Sequence, residues 1–194
     1  MQTHQSKTRK GLKIGLALAL IVPLTACAAA LGLSALGYTL TANLTPSIAE
    51  GIYLLNHNNR TAERGRIVAF KPHNAAAQYG YEQGWMKPGS WYIKRVAAVA
   101  GDTVCVGSEA TVATPSEPGK PATFTRIGPV ADTDRTGKPL PHELKGCSRV
   151  PPGHFFPVGD GLPNSYDGRY YGFVPVSNID GNLTAIWTRG PVKE

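Results

Sequence analysis

The longest apolar stretch of the chain is an uncharged run close to its N-terminus. It covers residues 14–36 and contains one proline, Pro23. As a helix rising about 1.5 Å per residue, the run would be about 34 Å long, enough to cross a hydrocarbon core of about 30 Å. Membrane helices tolerate an internal proline. The run therefore predicts one N-terminal transmembrane helix, because buried core helices rarely extend this far without a charge.

Basic residues flank this run on one side only. Those that precede it, with no acid among them, are Lys7, Arg9, Lys10 and Lys13. Because such residues stay on the cytoplasmic face, residues 1–13 are predicted to be a cytoplasmic basic tail. Residues 38–194 are then exported, as in a single-pass protein of a bacterial inner membrane whose main domain is periplasmic.

Two other interpretations of the run remain open. Ala26, Ala28 and Ala30 offer small-residue cleavage sites for a secretory signal peptide. Residues 24–27 read Leu-Thr-Ala-Cys, similar to a lipoprotein signal that would attach lipid to Cys27. The run is long for a signal peptide, however, and it stays apolar well beyond the cysteine. A retained anchor is therefore favoured, with Cys27 as a small packing residue.

Beyond the anchor, the pattern changes to short apolar or alternating segments, rich in β-branched and aromatic residues and bounded by Gly, Pro, Asn or Asp. They cover residues 51–55, 66–70, 91–99, 102–106, 155–158, 172–175 and 183–187. Residues 107–152 are rich in Pro, Gly, Thr and Ser, which predicts an inserted β-ribbon or loop region. The exported part is therefore predicted to be a mainly β domain.

Composition and charge exclude several classes of protein. The 22 Gly and 16 Pro residues argue against a helix bundle, because proline breaks helices and glycine favours turns. The net charge of +7 comes partly from the basic tail, and without it 16 basic residues face 13 acids. The sequence has no basic helix, aromatic platform or phosphate-binding loop, so no nucleic-acid partner is expected. The three cysteines lack Cys-x-x-Cys spacing.

Three separate motifs contain the candidate chemistry. Ser47 lies in a proline-containing segment and by itself would be an ordinary turn residue. Lys94 lies within an apolar strand, where a lysine usually sits at an edge or extends its amine to water. If Lys94 is buried, the loss of hydration lowers its pKa, and the neutral amine can act as a general base. The third motif, residues 159–172, is a polar glycine-rich loop that could equally be a satisfied turn network.

Together these motifs resemble the signal peptidase family that uses a Ser–Lys dyad. The family's strand signature Y-I-K-R-V…G-D-T-V matches residues 92–104, and its loop G-D-N-R-x-N-S-x-D-S-R matches residues 159–169. Its R-G-D-[IV]-V-x-F stretch matches residues 64–70. The resemblance implies a signal-peptidase-like β-domain, interrupted by the insert and attached to one N-terminal transmembrane helix.

The resemblance also implies roles for individual residues. Ser47 would attack the scissile carbonyl, and neutral Lys94 would take its proton. The backbone N–H of Ser47 and the hydroxyl of Thr45 would form the oxyanion hole. Residues that would support the dyad, by positioning the lysine amine or holding the loop, are Ser165, Asp160, Asp167 and Arg169. No metal or organic cofactor is required.

The sequence around the nucleophile departs from that of general signal peptidases. Residues 45–53 read Thr-Pro-Ser-Ile-Ala-Glu-Gly-Ile-Tyr, where those enzymes have S-x-S-M-x-P. This form resembles the TraF-type conjugative-transfer branch, whose members mature the pilin of a conjugation apparatus. Arg66, Ala100 and residues 161–163 also differ from the family pattern, which leaves the substrate more open than the dyad. The expected partners are therefore a precursor protein, here a pilin, and membrane lipid.

Several alternatives remain open. The leading hypothesis is a membrane-anchored serine endopeptidase that processes exported precursors, by hydrolysis or by peptide joining. Its rival is a non-catalytic assembly factor of the conjugation apparatus, against which the presence of both Ser47 and Lys94 argues. A general signal peptidase I is a further alternative, disfavoured by the altered nucleophile motif. A Ser-His-Asp triad is weaker still, and the remaining histidines are predicted to be solvent-exposed: His57, His73, His142 and His154.

Two further features concern the exported domain. Cys105 and Cys147 flank the insert and would form a disulfide in an oxidising compartment, with two free thiols as the alternative. Residues 79–81 and 85–86 are aromatic-rich and are predicted to lie in a loop between strands. Aromatic rings with polar tips suit a membrane interface, so this loop either contacts lipid or packs on the domain itself.

Overall fold

The computed structural model describes residues 4–115 and 121–192 of the chain. Contacts divide the chain into two compact units, residues 1–39 and residues 40–194. Helix α1 (His4–Ala35) belongs to the first unit, and the second unit consists mainly of strands. The prediction of a mainly β domain is therefore confirmed.

Helix α1 includes most of the apolar run that predicts the anchor, with Pro23 in its interior. Cys27 is an exposed free thiol on this helix, and its expected role as a packing residue of a membrane anchor stays a prediction. Among the described residues, no helix combines the length and the apolar character needed to cross a membrane. The transmembrane anchor over residues 14–36 stays a prediction.

The other elements follow in chain order. They are β1 (Tyr38–Asn43), β2 (Gly51–Asn56), β3 (Ile67–Phe70), α2 (Ala75–Glu82), β4 (Tyr92–Val99), β5 (Thr103–Val106), β6 (Glu109–Thr114), β7 (Thr123–Pro129), β8 (Gly146–Arg149), β9 (His154–Val158), α3 (Gly168–Tyr171), β10 (Val174–Pro175) and β11 (Ile179–Thr188). In the described residues they form two antiparallel sheets, with strand orders β1-β2-β11-β3-β4-β9-β10 and β7-β6-β5-β8.

Strand β4 explains how a lysine enters the interior. Side chains alternate between the two faces of a strand, and in β4 every second residue, beginning with Tyr92, is buried. Lys94 falls on the buried face together with Val96 and is only 5% exposed. The strand lies between β3 and β9, and Lys94 is the register partner of Val68 on β3. An edge position for Lys94, the usual one for a strand lysine, is therefore excluded.

The second sheet is built largely from the predicted insert. Strands β6, β7 and β8 all lie within residues 107–152, and β5 connects them to the chain that leaves β4. Cys105 on β5 and Cys147 on β8 are register partners, and their sulfurs are joined in a disulfide. The insert is thus a folded sheet with a covalent link at its base.

Residues 79–81 of the aromatic segment after β3 belong to helix α2 rather than to the predicted loop, whereas residues 85–86 lie in the non-helical segment that follows α2. The side chain of Asn74 caps α2 by accepting a hydrogen bond from the backbone N–H of Ala77, 2.7 Å away, and an alanine-rich first turn favours the helix. The rings of Tyr79 and Trp85 both pack against Tyr166. These aromatic residues therefore pack on the domain itself.

We expect the disulfide to contribute measurably to the stability of the folded chain. The Cys105→Ser/Cys147→Ser double variant should lose about 2–4 kcal/mol in the free energy of unfolding, because the cross-link restricts a long loop in the unfolded chain. Urea unfolding monitored by tryptophan fluorescence measures this loss. The reductant dithiothreitol should shift the midpoint of the wild-type chain and leave that of the double variant unchanged. Equal midpoints for both oxidised proteins would contradict the prediction.

Candidate active site

The candidate nucleophile lies in the turn between β1 and β2. Ser47 is only 9% exposed, and its carbonyl oxygen accepts a hydrogen bond of 2.9 Å from the backbone N–H of Gly161. The next residue, Ile48, is fully buried in one cluster with Tyr53 of β2. The Tyr53 hydroxyl donates to the carbonyl of Ala49 at 2.6 Å. The turn is thus fixed on one side by the loop of residues 159–169 and on the other by β2.

The candidate base is the amine of Lys94. Its Nζ donates a hydrogen bond of 2.9 Å to the Oγ of Ser165, and both side chains are buried. Ser165 belongs to the glycine-rich loop, so the loop and β4 together determine where the amine lies. This geometry fits the positioning role that the family resemblance implies for Ser165.

Gly159 lies where the two halves of the site meet. A Cβ placed on Gly159 would lie 2.1 Å from the Oγ of Ser165 and 2.9 Å from the carbonyl oxygen of Ser47. Both distances are too short for a side chain, so only glycine lets the loop approach this closely. The structure therefore brings Ser47, Ser165 and Lys94 into one small site.

An ion pair with a saturated carboxylate holds the loop. One Asp167 oxygen accepts from the backbone N–H and the Nε of Arg169, and the other accepts from the Nη2 of Arg169 and the backbone N–H of Gly159. Asp167 and Arg169 are almost completely buried. Asp167 also caps the short helix α3. The expected ion pair between Asp167 and Arg169 is therefore present, and each oxygen of its carboxylate accepts two hydrogen bonds.

The second nearby carboxylate is also paired with an arginine. Asp160 accepts a hydrogen bond from the Nε of Arg95, the residue after the candidate base. Because alternate residues of a strand face opposite sides, Arg95 and Lys94 point away from each other. Asp160 therefore has its own cation and is not the direct partner of the Lys94 amine.

Burial dominates the protonation of Lys94. Burial, with a smaller contribution from the charge of Arg169, lowers the pKa of Lys94 from about 10.5 to about 8 against the opposing effects of Asp167 and Asp160. An isolated ammonium loses its hydration when buried, and only a partly compensating charge remains here. A substantial fraction of the amine is then neutral at mildly alkaline pH, as a general base requires.

The insert contributes to the same loop. The Nη1 of Arg169 donates to the carbonyl of Pro129 at 2.8 Å, at the end of β7. The backbone N–H of Ala131 donates to the Tyr170 hydroxyl oxygen, and that of Glu143 to the Tyr170 carbonyl. The inserted sheet and the loop that follows it therefore hold the residues that support Lys94.

The hydroxyl of Thr45 lies beside the candidate nucleophile. Its Oγ1 is 3.5 Å from the Oγ of Ser47 and donates a hydrogen bond of 2.9 Å to the Oδ1 of Asn43. The hydroxyl is thus next to the position where an oxyanion would form, while its proton is directed at Asn43. The role of Thr45 in an oxyanion hole stays a prediction.

The described hydrogen bonds of Ser47 include none to a histidine, as a Ser-His-Asp triad would require. The predicted exposure of the histidines is wrong. Each of the four histidines that were expected to be solvent-exposed is half-buried: His57, His73, His142 and His154. Burial lowers the pKa of His73, and the neighbouring His154 lowers it further. Among the described residues, no group of three or more His, Cys, Asp or Glu side chains is arranged to hold a metal ion.

Two residues that contribute to the site are not predicted from the sequence. Asn43 contacts the nucleophile turn through its side chain, and the available signal is the Asn-x-Thr spacing at the end of a strand, typical of an Asx turn. The carbonyl of Pro129 binds Arg169 across 40 positions of sequence. No local pattern indicates such a contact, because any backbone carbonyl could make it.

A β-domain that brings a turn serine and a buried lysine together is the arrangement that the family resemblance implies. The model of the family described as signal peptidase, peptidase S26, matches residues 12–188. The chain therefore belongs to the signal peptidase S26 family. It is a serine endopeptidase, a hydrolase that processes exported proteins.

Relatives come from two groups. The chain is 30% identical over 162 residues to conjugal transfer protein TraF of Agrobacterium tumefaciens (strain 15955), over 80% of this chain and 85% of that protein. It is 29% identical to the TraF protein of Agrobacterium fabrum (strain C58), over 77% of this chain and 82% of that one. Signal peptidase I of Bacillus caldolyticus is 30% identical over 47% of this chain and 50% of its own length.

The lowered pKa of Lys94 predicts a specific dependence of stability on pH. Below about pH 8 the lysine is charged in both states, and above about 10.5 it is neutral in both. Between these values the unfolded chain holds a proton that the folded chain has released, so the free energy of unfolding rises with pH. Lys94→Met should remove this rise and be more stable than wild type at pH 7, by up to about 3 kcal/mol.

Urea unfolding of wild type and Lys94→Met at several pH values from 7 to 9.5 tests this prediction, since the difference between the two curves isolates Lys94. Lys87→Met, at an exposed lysine, is the matched control and should follow wild type. Parallel curves for wild type and Lys94→Met would mean that the buried amine does not titrate in this range.

Proposed function

We propose that this chain is a Ser–Lys dyad endopeptidase that matures the pilin precursor of a conjugation apparatus. The observation that carries the dyad is the buried Lys94 amine, bonded to the Oγ of Ser165 and close to two carboxylates that each already bind an arginine. A lysine kept from a full counter-charge is suited to act as a neutral base rather than as a structural cation.

The reaction follows from these residue types. Lys94 takes the proton of the Ser47 hydroxyl as the Oγ bonds to the scissile carbonyl carbon. The backbone N–H of Ser47 stabilises the oxyanion, and the hydroxyl of Thr45 joins it when its proton turns from Asn43 to the oxyanion. When the tetrahedral intermediate collapses, the C–N bond breaks and Lys94 gives its proton to the leaving amine. The acyl group is then held as an ester on Ser47.

The ester has two chemically allowed fates. Water can attack it, with Lys94 again accepting the proton, which completes hydrolysis and frees Ser47. Alternatively, an amine of the substrate can attack, which joins two peptide ends and eliminates the water that hydrolysis retains. Both routes use the same base, so the nucleophile that reaches the ester decides the product.

Similarity to conjugal transfer proteins supports a role in conjugation. Two TraF proteins align over more than four-fifths of their own length, whereas the alignment with signal peptidase I of Bacillus caldolyticus covers half of that enzyme. A pilin precursor is therefore the proposed substrate, in preference to the broad set of precursors of a general signal peptidase.

A membrane location agrees with the surface of the domain. Three neighbouring strands of the larger sheet, β1, β2 and β11, and the turn after β1 expose large apolar side chains: Leu40, Leu44, Ile52, Ile186 and Trp187. Membrane lipid is the proposed partner of this surface, in place of the aromatic segment around Trp85. The anchor over residues 14–36 and the disulfide both fit a catalytic domain on the oxidising side of an inner membrane.

Removal of either dyad residue should abolish processing. Ser47→Ala and Lys94→Ala should each lower the turnover of a candidate pilin precursor by several orders of magnitude, because nucleophile and base act as a unit. Gel shift and intact mass of the precursor measure the product, and a product lighter by one water than the hydrolysed form shows joining. Ser148→Ala, on the inserted sheet, is the control. Near-native turnover by Lys94→Ala would rule out the assignment of Ser47 and Lys94 as a catalytic dyad.

The orientation in the membrane is a separate prediction. A tag placed after Glu194 should be digested by protease added to spheroplasts, because the basic tail is expected to remain cytoplasmic. A tag placed before the tail should be protected until the membrane is broken. The reverse pattern would contradict the proposed topology without affecting the dyad.

A further inference from the structure

A buried asparagine makes several hydrogen bonds to the nucleophile turn. Asn43, the last residue of β1, is 3% exposed. Its Nδ2 lies within hydrogen-bond distance of three carbonyl oxygens, those of Thr45 at 2.9 Å, Ile48 at 3.0 Å and Ala49 at 3.2 Å. These carbonyls come from both sides of Ser47, so one side chain ties the two halves of the turn together.

The other atom of the same amide holds Thr45. The Oδ1 of Asn43 accepts from the backbone N–H of Thr45 at 3.2 Å and from its hydroxyl at 2.9 Å. Because a hydroxyl has one proton, a Thr45 hydroxyl that donates to Asn43 presents lone pairs to its other neighbour. That neighbour is the Oγ of Ser47, 3.5 Å away, so Thr45 presents an acceptor rather than a proton to Ser47.

We propose that Asn43 is the positioning residue of the nucleophile turn: its side-chain amide sets the path of the backbone around Ser47 and directs the hydroxyl of Thr45. The inference rests on the proposed role of Ser47 as the nucleophile. Asn43 acts through the turn and through Thr45 rather than on the substrate. Its effect should therefore appear in the chemical step, where a small displacement of a reacting atom is costly.

The chain contains a matched control for this side chain. Asn59 makes the same pair of contacts, accepting from the backbone N–H of Thr61 at 3.2 Å and from the Thr61 hydroxyl at 2.8 Å. Asn59 lies in the loop between β2 and β3 and takes no part in the candidate site. Its substitution therefore reports what the loss of such a turn costs in stability alone.

The test compares Asn43→Ala and Asn43→Asp with Asn59→Ala and Asn59→Asp in the full-length chain. Asn43→Asp keeps the size of the side chain and the oxygen that binds Thr45, but replaces the donor with an acceptor that faces three carbonyls. Turnover of the precursor is measured per folded protein, well below the unfolding temperature of every variant, with kcat and KM determined separately over pH 6–9.5.

We expect both Asn43 variants to lose about 10–100-fold in kcat, with KM changed by less than about twofold. The pH midpoint of kcat should stay where it is in wild type, because the surroundings of Lys94 are unchanged. Both Asn59 variants should retain wild-type kcat. A loss of stability alone would lower the folded fraction but would not lower kcat per folded protein.

Two outcomes would overturn the proposal: Asn43→Ala with kcat within twofold of wild type, or a loss in the Asn59 variants equal to that of the Asn43 variants. Should Asn43→Ala fail to fold, Asn43→Ser, whose hydroxyl can still donate to one turn carbonyl, carries the same comparison. Ser47→Ala, measured in parallel, distinguishes failure of the proposed dyad from failure of the proposed role of Asn43. An active Ser47→Ala defeats the dyad, whereas an inactive one with unaffected Asn43 variants defeats only the role of Asn43.

Discussion

The site depends on one physical constraint, the burial of an amine without a full counter-charge. Lys94 faces the interior because it lies on the buried face of β4, and its amine is therefore removed from water. A carboxylate hydrogen-bonded directly to the amine would favour its charged form and oppose the proposed role of Lys94 as a base. The two candidates, Asp167 and Asp160, are bound by Arg169 and Arg95 instead. These arginines therefore affect the charge state of Lys94, and the charge of Arg169 also lowers the pKa of Lys94 directly.

Much of the surrounding architecture serves to maintain that constraint. The four hydrogen bonds on Asp167 leave its oxygens saturated, and the carbonyl of Pro129 holds Arg169 from the inserted sheet. Because a half-satisfied buried ion pair is costly, this loop is expected to be ordered only when the insert is folded. The insert is thus part of the support of the site as well as an appended surface.

The nucleophile turn shows a second kind of constraint, in which backbone geometry rather than charge is controlled. Ser47 has no regular secondary structure to fix it, so its position follows from side chains and from a close contact. Asn43 bonds the turn from one side, Gly161 bonds it from the loop, and Ile48 anchors it in the core. The turn that carries Ser47 and the strand that carries Lys94 belong to the same sheet, because β2 and β4 are both part of it.

The sequence by itself determined the family, the candidate dyad and the mainly β character of the domain. These depend on local patterns: alternation along strands, a lysine inside an apolar run, and three motifs in a fixed order. It also indicated the insert and the cysteines at its base, because composition changes there. Helix α2 was predicted as a loop, although Asn74 and the alanines after it are a local helix signal that could have been recognised.

Only the tertiary structure decided which carboxylates reach Lys94, how the insert meets the loop, and what Asn43 does. Each of these depends on contacts between residues distant in sequence or on the direction of a single hydrogen bond. Four histidines that look exposed are half-buried for the same reason, since burial is a property of the packed elements around a residue. Local pattern determines which side chains are available, and packing determines their charge state and their partners.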